Sequence, residues 1–198
     1  LAGIPALAEQ RDSRHPLVLC GGPLTNSNPL PLAPFADAIL MGEADETIHV
    51  ALAVLEGATD RHDALAALQR AIPSCYVPAL AGDELPGLGQ CDDARLPAYS
   101  VIRTPDTELS DMFLIEAERG CSRGCQYCVM RRSTNGGMRI IDIERILARI
   151  PDDATKVGLV GAAVSDHPKI VELVDRLAAQ GRRVSLSSLR PDKLKEPF

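Results

Sequence analysis

The sequence has no tryptophan, and aromatic residues of all kinds make up only 3% of it. Its core must therefore rest on Leu, Ile, Val and Ala. Cationic residues are not in excess. Lys and Arg number 21 against 27 Asp and Glu, a net charge of -6. That balance argues against a general nucleic-acid surface, which needs a basic stripe, but leaves room for one local basic pocket. No apolar run reaches the roughly 20 residues of a bilayer span. The opening Leu1-Ala2-Gly3-Ile4-Pro5 lacks the basic-then-apolar order of a secretory signal, and there is no initiator Met. Internal repeats and low-complexity tracts are also missing.

What is present is the composition of an ordinary globular chain, 45% apolar and 24% charged. Its 198 residues suffice for one large domain or two small ones. Residues 1–11 read as the end of an amphipathic helix, and Arg190 to Phe198 stop without a closing element. The expectation is a piece of a longer protein.

Alternation of short apolar runs with helical periodicity predicts an α/β fold. Leu17 to Cys20 and Ala38 to Met41 read as buried strands, closed by Gly21-Gly22-Pro23 and Gly42-Glu43. Helices are expected over 45–55 and 63–71, so residues 1–77 form a first α/β domain with parallel strands. Residues 78–110, rich in Pro and Gly and poor in periodicity, read as a linker. From 111 to 198 the pattern is strand, loop, helix, three times over. Strands are expected at 112–116, 157–160 and 184–189, with helices from the cap Asp142 to about Arg149 and over 168–180. Gly181 is the expected C-cap. Three such steps in about 80 residues suggest the opening of a β/α barrel, where chemistry sits on loops after the C-terminal strand ends.

Six cysteines are present, at 20, 75, 91, 121, 125 and 128. Three fall within eight residues, which without a secretion signal points to metal or redox chemistry in a reducing compartment, the cytoplasm. They lie in Arg119-Gly120-Cys121-Ser122-Arg123-Gly124-Cys125-Gln126-Tyr127-Cys128, directly after the first strand of the second region. Thiolates suit iron–sulfur clusters, and three on a tight loop hold three corners of one. Gly120 and Gly124 let the backbone bend closely and leave amides to donate to sulfide. A four-iron cluster so held keeps one iron without a protein ligand. The alternative is a non-catalytic zinc module, with a fourth ligand such as His167. Zinc sites, however, use paired C-x-x-C units or later histidines at fixed spacing, and no second pair exists here.

The C-x-x-x-C-x-x-C loop with an aromatic before its last Cys resembles the signature of radical S-adenosylmethionine (radical SAM) enzymes. The resemblance implies a 4Fe-4S cluster on Cys121, Cys125 and Cys128, with S-adenosylmethionine chelated to the open iron and Tyr127 beside it. An electron delivered by a reductase, ferredoxin or flavodoxin would cleave the sulfonium and release a 5′-deoxyadenosyl radical that attacks a substrate. In such enzymes the loop after the second strand touches the amino group of the cofactor, often through Gly-Gly-Glu. That motif is absent here, and Gly161, Ser165 and Asp166 are the candidate equivalents. After the third strand, Ser188 and Arg190 are candidates to meet cofactor or substrate. Arg131, Arg132 and Arg139 surround the cluster loop, and Ser133 to Gly137 read as part of a lid.

Residues 1–57, through Gly21-Gly22 and Gly42-Glu43, resemble the end of the Rossmann-like cobalamin-binding-like domain that precedes many radical SAM cores. In that family the Gly-Gly pair lets the backbone approach the nucleotide tail of the cofactor. Some relatives keep this fold without cobalamin, so cobalamin stands as a candidate cofactor. The whole then resembles an uncharacterised subgroup of the superfamily, with the first three units of a partial TIM barrel following the linker. Methyl transfer, methylthiolation and rearrangement all remain open, and so does the substrate. Half a barrel taken alone is not expected to enclose a radical.

Overall fold

The computed structural model describes residues 3–128 and 137–193. It is a mixed α/β structure that divides into two compact units, Leu1–Asp92 and Asp93–Phe198. Residues 78–110 are shared between them. No described helix is long and apolar enough to cross a membrane.

The first unit is built on strands β1 (Leu19–Cys20), β2 (Ala38–Leu40) and β3 (Cys75–Tyr76), in that order across the sheet. β1 and β2 are parallel, whereas β3 runs antiparallel to β2 through Ile39↔Tyr76 and Leu40↔Cys75. Side chains alternate along β2, so Ala38 and Leu40 join one core with Leu68, Ile72 and Val77. Ile39 and Met41 join another with Ala36 and Tyr76. A strand buried on both faces must be apolar throughout, which explains its unbroken Ala-Ile-Leu. Helices α1 (Thr47–Gly57) and α2 (Arg61–Ala71) follow β2. Asp60 starts α2 by accepting the amide of Asp63 at 2.8 Å.

Residues 5–11 form no α-helix, only a single 3-10 turn at Ala8–Gln10. The guanidinium of Arg11 is the reason. Its Nη1 takes the carbonyls of Pro5 and Ala6, both at 3.0 Å, which a helix would give to its own amides. Its Nη2 reaches the carbonyl of Phe35 at 2.8 Å, and its Nε pairs with Asp37 at 3.1 Å. Gly42 sits at φ +86°, and a Cβ there would lie 2.4 Å from the carbonyl oxygen of Gly89. Only glycine permits that approach. It lets residue 89 bond Met41 at 2.8 Å and Glu43 at 2.9 Å.

The second unit holds the parallel strands β4 (Phe113–Glu116), β7 (Lys156–Val160) and β8 (Arg183–Leu186), ordered β4-β7-β8. A small antiparallel pair, β5 (Glu118–Arg119) with β6 (Arg139–Ile140), stands at the root of the cysteine loop. Register places Phe113 and Ile115 beside Val157 and Leu159 on one face, and all four are buried. Helix α3 (Pro78–Ala81) belongs to the first unit; α4 (Ile143–Leu147) and α5 (Ile170–Ala179) follow β6 and β7. Ile143, Ile146, Ile170, Leu173 and Leu177 are their buried residues, at the helical spacing an apolar stripe requires.

Asp142 caps α4 through the amide of Glu144 at 2.9 Å. Gly181, at φ +75°, ends α5. Its amide bonds Ala178 at 2.8 Å and that of Arg182 bonds Leu177 at 3.2 Å, a Schellman closure. Ala98 and Ser100 bond the outer edge of β4, so that edge is covered.

Candidate functional site

The site grows from the C-terminal ends of β4, β7 and β8. β4 runs out at Glu116, and Gly120, at φ +93°, turns the chain into the cysteine loop. Cys121 and Cys128 are half-buried there and Cys125 is exposed, and none is in a disulfide. The amide of Arg123 donates to Cys121 Sγ at 3.4 Å, and that of Cys128 to the carbonyl of Cys125 at 3.2 Å. Amide donation to sulfur is how proteins support cysteine ligands of iron–sulfur clusters. Tyr127 projects outward, 91% exposed.

Among the described residues, one group of three metal-capable donors lies within 4.8 Å of one another, namely Glu43, Asp45 and Cys91. There the amide of Cys91 donates to Glu43 Oε2 at 2.9 Å. Cys121, Cys125 and Cys128 form no such group. A tetrahedral zinc, with Zn–S near 2.3 Å, holds its sulfurs about 3.8 Å apart. The three thiols are thus not gathered at single-ion spacing, whereas a cluster spreads its thiolates over separate irons. His167 is not available as a fourth zinc ligand either. It is 3% exposed, its Nε2 donates to the carbonyl of Ile141 at 2.9 Å, and its Nδ1 accepts from the amide of Lys169 at 3.1 Å.

The turn after β7 packs against the root of the cysteine loop through Glu118. This carboxyl group is 1% exposed. Its Oε1 accepts the amide of Ala163 at 2.7 Å, the amide of Ala162 also faces it, and its Oε2 is buried without a hydrogen-bond partner among the described residues. Burial, with the nearby carboxylates of Glu116 and Asp166, pushes its pKa up to about 7. Gly161 is what admits it, because a Cβ at 161 would lie 2.2 Å from Glu118 Oε1.

From the other side, the hydroxyls of Ser187 and Ser188 both donate to the carbonyl of Gly161 at 3.1 Å. Ser188 Oγ also accepts the amide of Val164 at 2.8 Å. Ser165 and Asp166 lie in the short turn Val164–Asp166, and neither caps α5. Ser165 Oγ accepts the amide of Arg190 at 3.1 Å. Asp166 accepts from Arg190 Nη1 at 2.6 Å and from Arg123 Nε at 3.2 Å. Gly161, Ser165, Asp166, Ser188 and Arg190 are therefore brought into one hydrogen-bonded web, which Arg123 ties to the cysteine loop.

Arg131, Arg132 and residues 133–136 lie outside the described residues. Arg139 Nη1 pairs with Asp93 at 2.9 Å. In the first unit, a cavity of about 690 Å³ lies against Arg11, Asp37 and Arg61, before β2, and Gly21 and Gly22 do not line it.

Glu118 and Arg123 are the members of this site that sequence reasoning passes over. A local signal existed for the first. Glu116 and Glu118 alternate at the end of a strand that opens directly into the cysteine loop, and two acids there are costly without a use.

The donor set suits an iron–sulfur cluster and a small cationic cofactor. It offers three thiols on one loop, an amide already aimed at sulfur, and a buried carboxylate oxygen lacking a partner among the described residues. Those features fit such groups. Residues 1–78 match the family described as radical SAM proteins, N-terminal. Over 193 residues the chain is 27% identical to an uncharacterized protein of Methanocaldococcus jannaschii, an alignment covering 94% of this chain and 40% of that protein. The chain thus spans about two-fifths of that relative's length. No solved structure matches. The family match covers about two-fifths of the chain and ends before the cysteine loop begins.

Proposed function

We propose that this chain carries the cluster-binding core of a radical SAM enzyme. Cys121, Cys125 and Cys128 would hold a 4Fe-4S cluster and leave one iron for S-adenosylmethionine. When bound, the pair supplies one-electron reductive cleavage of the sulfonium, the start of radical chemistry. The chain's own residues have the supporting tasks. The Arg123 amide steadies the Cys121 sulfur, and the web of Gly161, Ser165, Asp166, Ser188 and Arg190 shapes the rim on which the cofactor would rest. Tyr127, exposed between two of the thiols, is free to cover the cofactor.

In this reading residues 1–77 are the end of a Rossmann-like, cobalamin-binding-like domain, 78–110 join the two parts, and 111–198 open a partial TIM barrel. Cobalamin is a candidate second cofactor, a ferredoxin, flavodoxin or reductase the electron donor, and the cytoplasm the compartment.

The observation that carries the proposal is the place of the C-x-x-x-C-x-x-C loop. It leaves the C-terminal end of the first strand of the parallel β4-β7-β8 sheet, where α/β folds bind ligands. The test is anaerobic reconstitution with iron and sulfide. The expected product is brown, with about four irons per chain, and its reduced-cluster electron paramagnetic resonance (EPR) signal changes when S-adenosylmethionine is added. Alanine at any of the three cysteines should abolish it. One tightly bound zinc and no signal change would overturn the reading in favour of a structural metal module.

A further inference from the structure

The buried carboxyl group of Glu118 has no role in the reading above, and its surroundings suggest one. It is three residues before Cys121, on the short strand that roots the cysteine loop. Its partners are 45 residues away, in the turn after β7. That turn is gripped from both sides. Glu118 takes the amide of Ala163, while Ser187 and Ser188 take the carbonyl of Gly161. Gly161 has no room for a side chain because Glu118 occupies it. A carboxyl group this buried is costly, and one oxygen without a partner among the described residues adds to that cost. An apolar residue would fill the space more cheaply, so packing alone does not account for it.

Resting on the radical SAM reading, we propose that Glu118 is a positioning residue. It fixes the Gly161–Ala163 turn to the root of the cysteine loop, so that the two walls of the cofactor site keep one spacing. It acts as a hydrogen-bond acceptor rather than as a cluster ligand. Its loss should therefore leave cluster assembly intact and impair the response of the cluster to S-adenosylmethionine.

The test uses the reconstituted chain and needs no substrate. Iron content and thermal melting are measured first, then the reduced-cluster EPR signal is titrated with S-adenosylmethionine. Glu118→Ala should keep its irons and its cooperative melting while moving the titration midpoint up about tenfold, the scale of one lost buried hydrogen bond to a charged group. Glu118→Gln, which keeps an acceptor for the Ala163 amide, should stay within about twofold of the parent. Gly161→Ala pushes on the same carboxyl group from the turn and should mimic Glu118→Ala. Combined with Glu118→Ala it should add less than it does alone, because the two changes act on one contact.

An unshifted midpoint in Glu118→Ala or Gly161→Ala with a full cluster would overturn the proposal. So would a Glu118→Gln chain as impaired as Glu118→Ala, or a Glu118→Ala chain that loses its cluster or its cooperative melting. Failure of the parent chain to assemble a cluster would instead sink the radical SAM reading itself.

Discussion

Asp166 Oδ1 accepts from Arg190 Nη1 at 2.6 Å, joining the turn after β7 to the segment after β8. The second oxygen of Asp166 accepts from Arg123 Nε at 3.2 Å, so one carboxylate holds both neighbours. Its side chain is 8% exposed, whereas those of Arg190 and Arg123 are 29% and 48% exposed. Asp166→Ala would leave Arg123 to water and Arg190 to its other carboxylate, Asp192, with both arginines partly solvated. The expected cost is about 1–2 kcal/mol, between a surface pair and a buried one. Freed from Asp166, the loop at Arg123 should also be cut several times faster by trypsin than in the parent chain. An unchanged cleavage rate would mean that the pair does not restrain the loop.

Glu118 gives the second unit a distinct pH response. Its carboxyl pKa rises from an ordinary 4.5 to about 7 through burial. Between those values the folded chain holds a proton that the unfolded chain has released. Stability from this group is therefore full below about pH 4.5 and is lost as pH climbs to about 7, in all about 3 kcal/mol. The other groups facing it are Glu116, paired with Arg119, and Asp166, paired with both arginines. Asp12, Glu144 and Asp153, lowered by their arginine partners, act oppositely and only in stronger acid. Urea midpoints at pH 5 and pH 7.5 should differ in the parent and converge in Glu118→Gln. A parent midpoint higher at pH 7.5 would contradict the assignment.

The six thiols should differ sharply in reactivity. Cys125 is exposed, while Cys75 and Cys91 are 3% and 4% exposed. Burial also pushes the Cys75 thiol up to about 11, so almost no thiolate forms at neutral pH. In the metal-free folded chain, iodoacetamide should alkylate Cys125 first and Cys75 only after denaturation. Reconstitution should then protect Cys125. Peptide mapping by mass spectrometry reads both results, and continued labelling of Cys125 in a brown sample would argue against its ligation.

Legibility followed the range of the interactions. The cysteine loop shows in sequence because its spacing is local, and so do the Asp142 cap and the Gly181 stop, each set within six residues. The parallel order of β4, β7 and β8 follows from strand–helix alternation. Long-range pairings were hidden. Arg11 binds Asp37 across 26 positions, which turned an expected helix end into irregular chain. Glu118 meets Ala163 across 45, and the antiparallel β3 follows from how the chain returns after α2. Asp166 and Arg190 were each legible as polar groups near strand ends, yet nothing in the sequence told that they bind one another.

Asp37 provides the strongest stability prediction in the first unit. It accepts Arg11 Nε at 3.1 Å, Arg61 Nη2 at 3.0 Å and the amide of Val18 at 2.7 Å. The Arg11 and Asp37 side chains are 1% and 4% exposed, so this ion pair is dry. Removing one partner of such a pair strands a buried charge, which costs about 3–5 kcal/mol. Arg61 is 19% exposed and can turn to water. Asp37→Ala should therefore lower the urea unfolding free energy by that larger amount, and Arg61→Ala by about 1 kcal/mol. Arg11→Ala should match Asp37→Ala, because it also frees the carbonyls of Pro5, Ala6 and Phe35. Equal, small effects for all three would show that the pair is hydrated in solution and that residues 5–11 are held by something else.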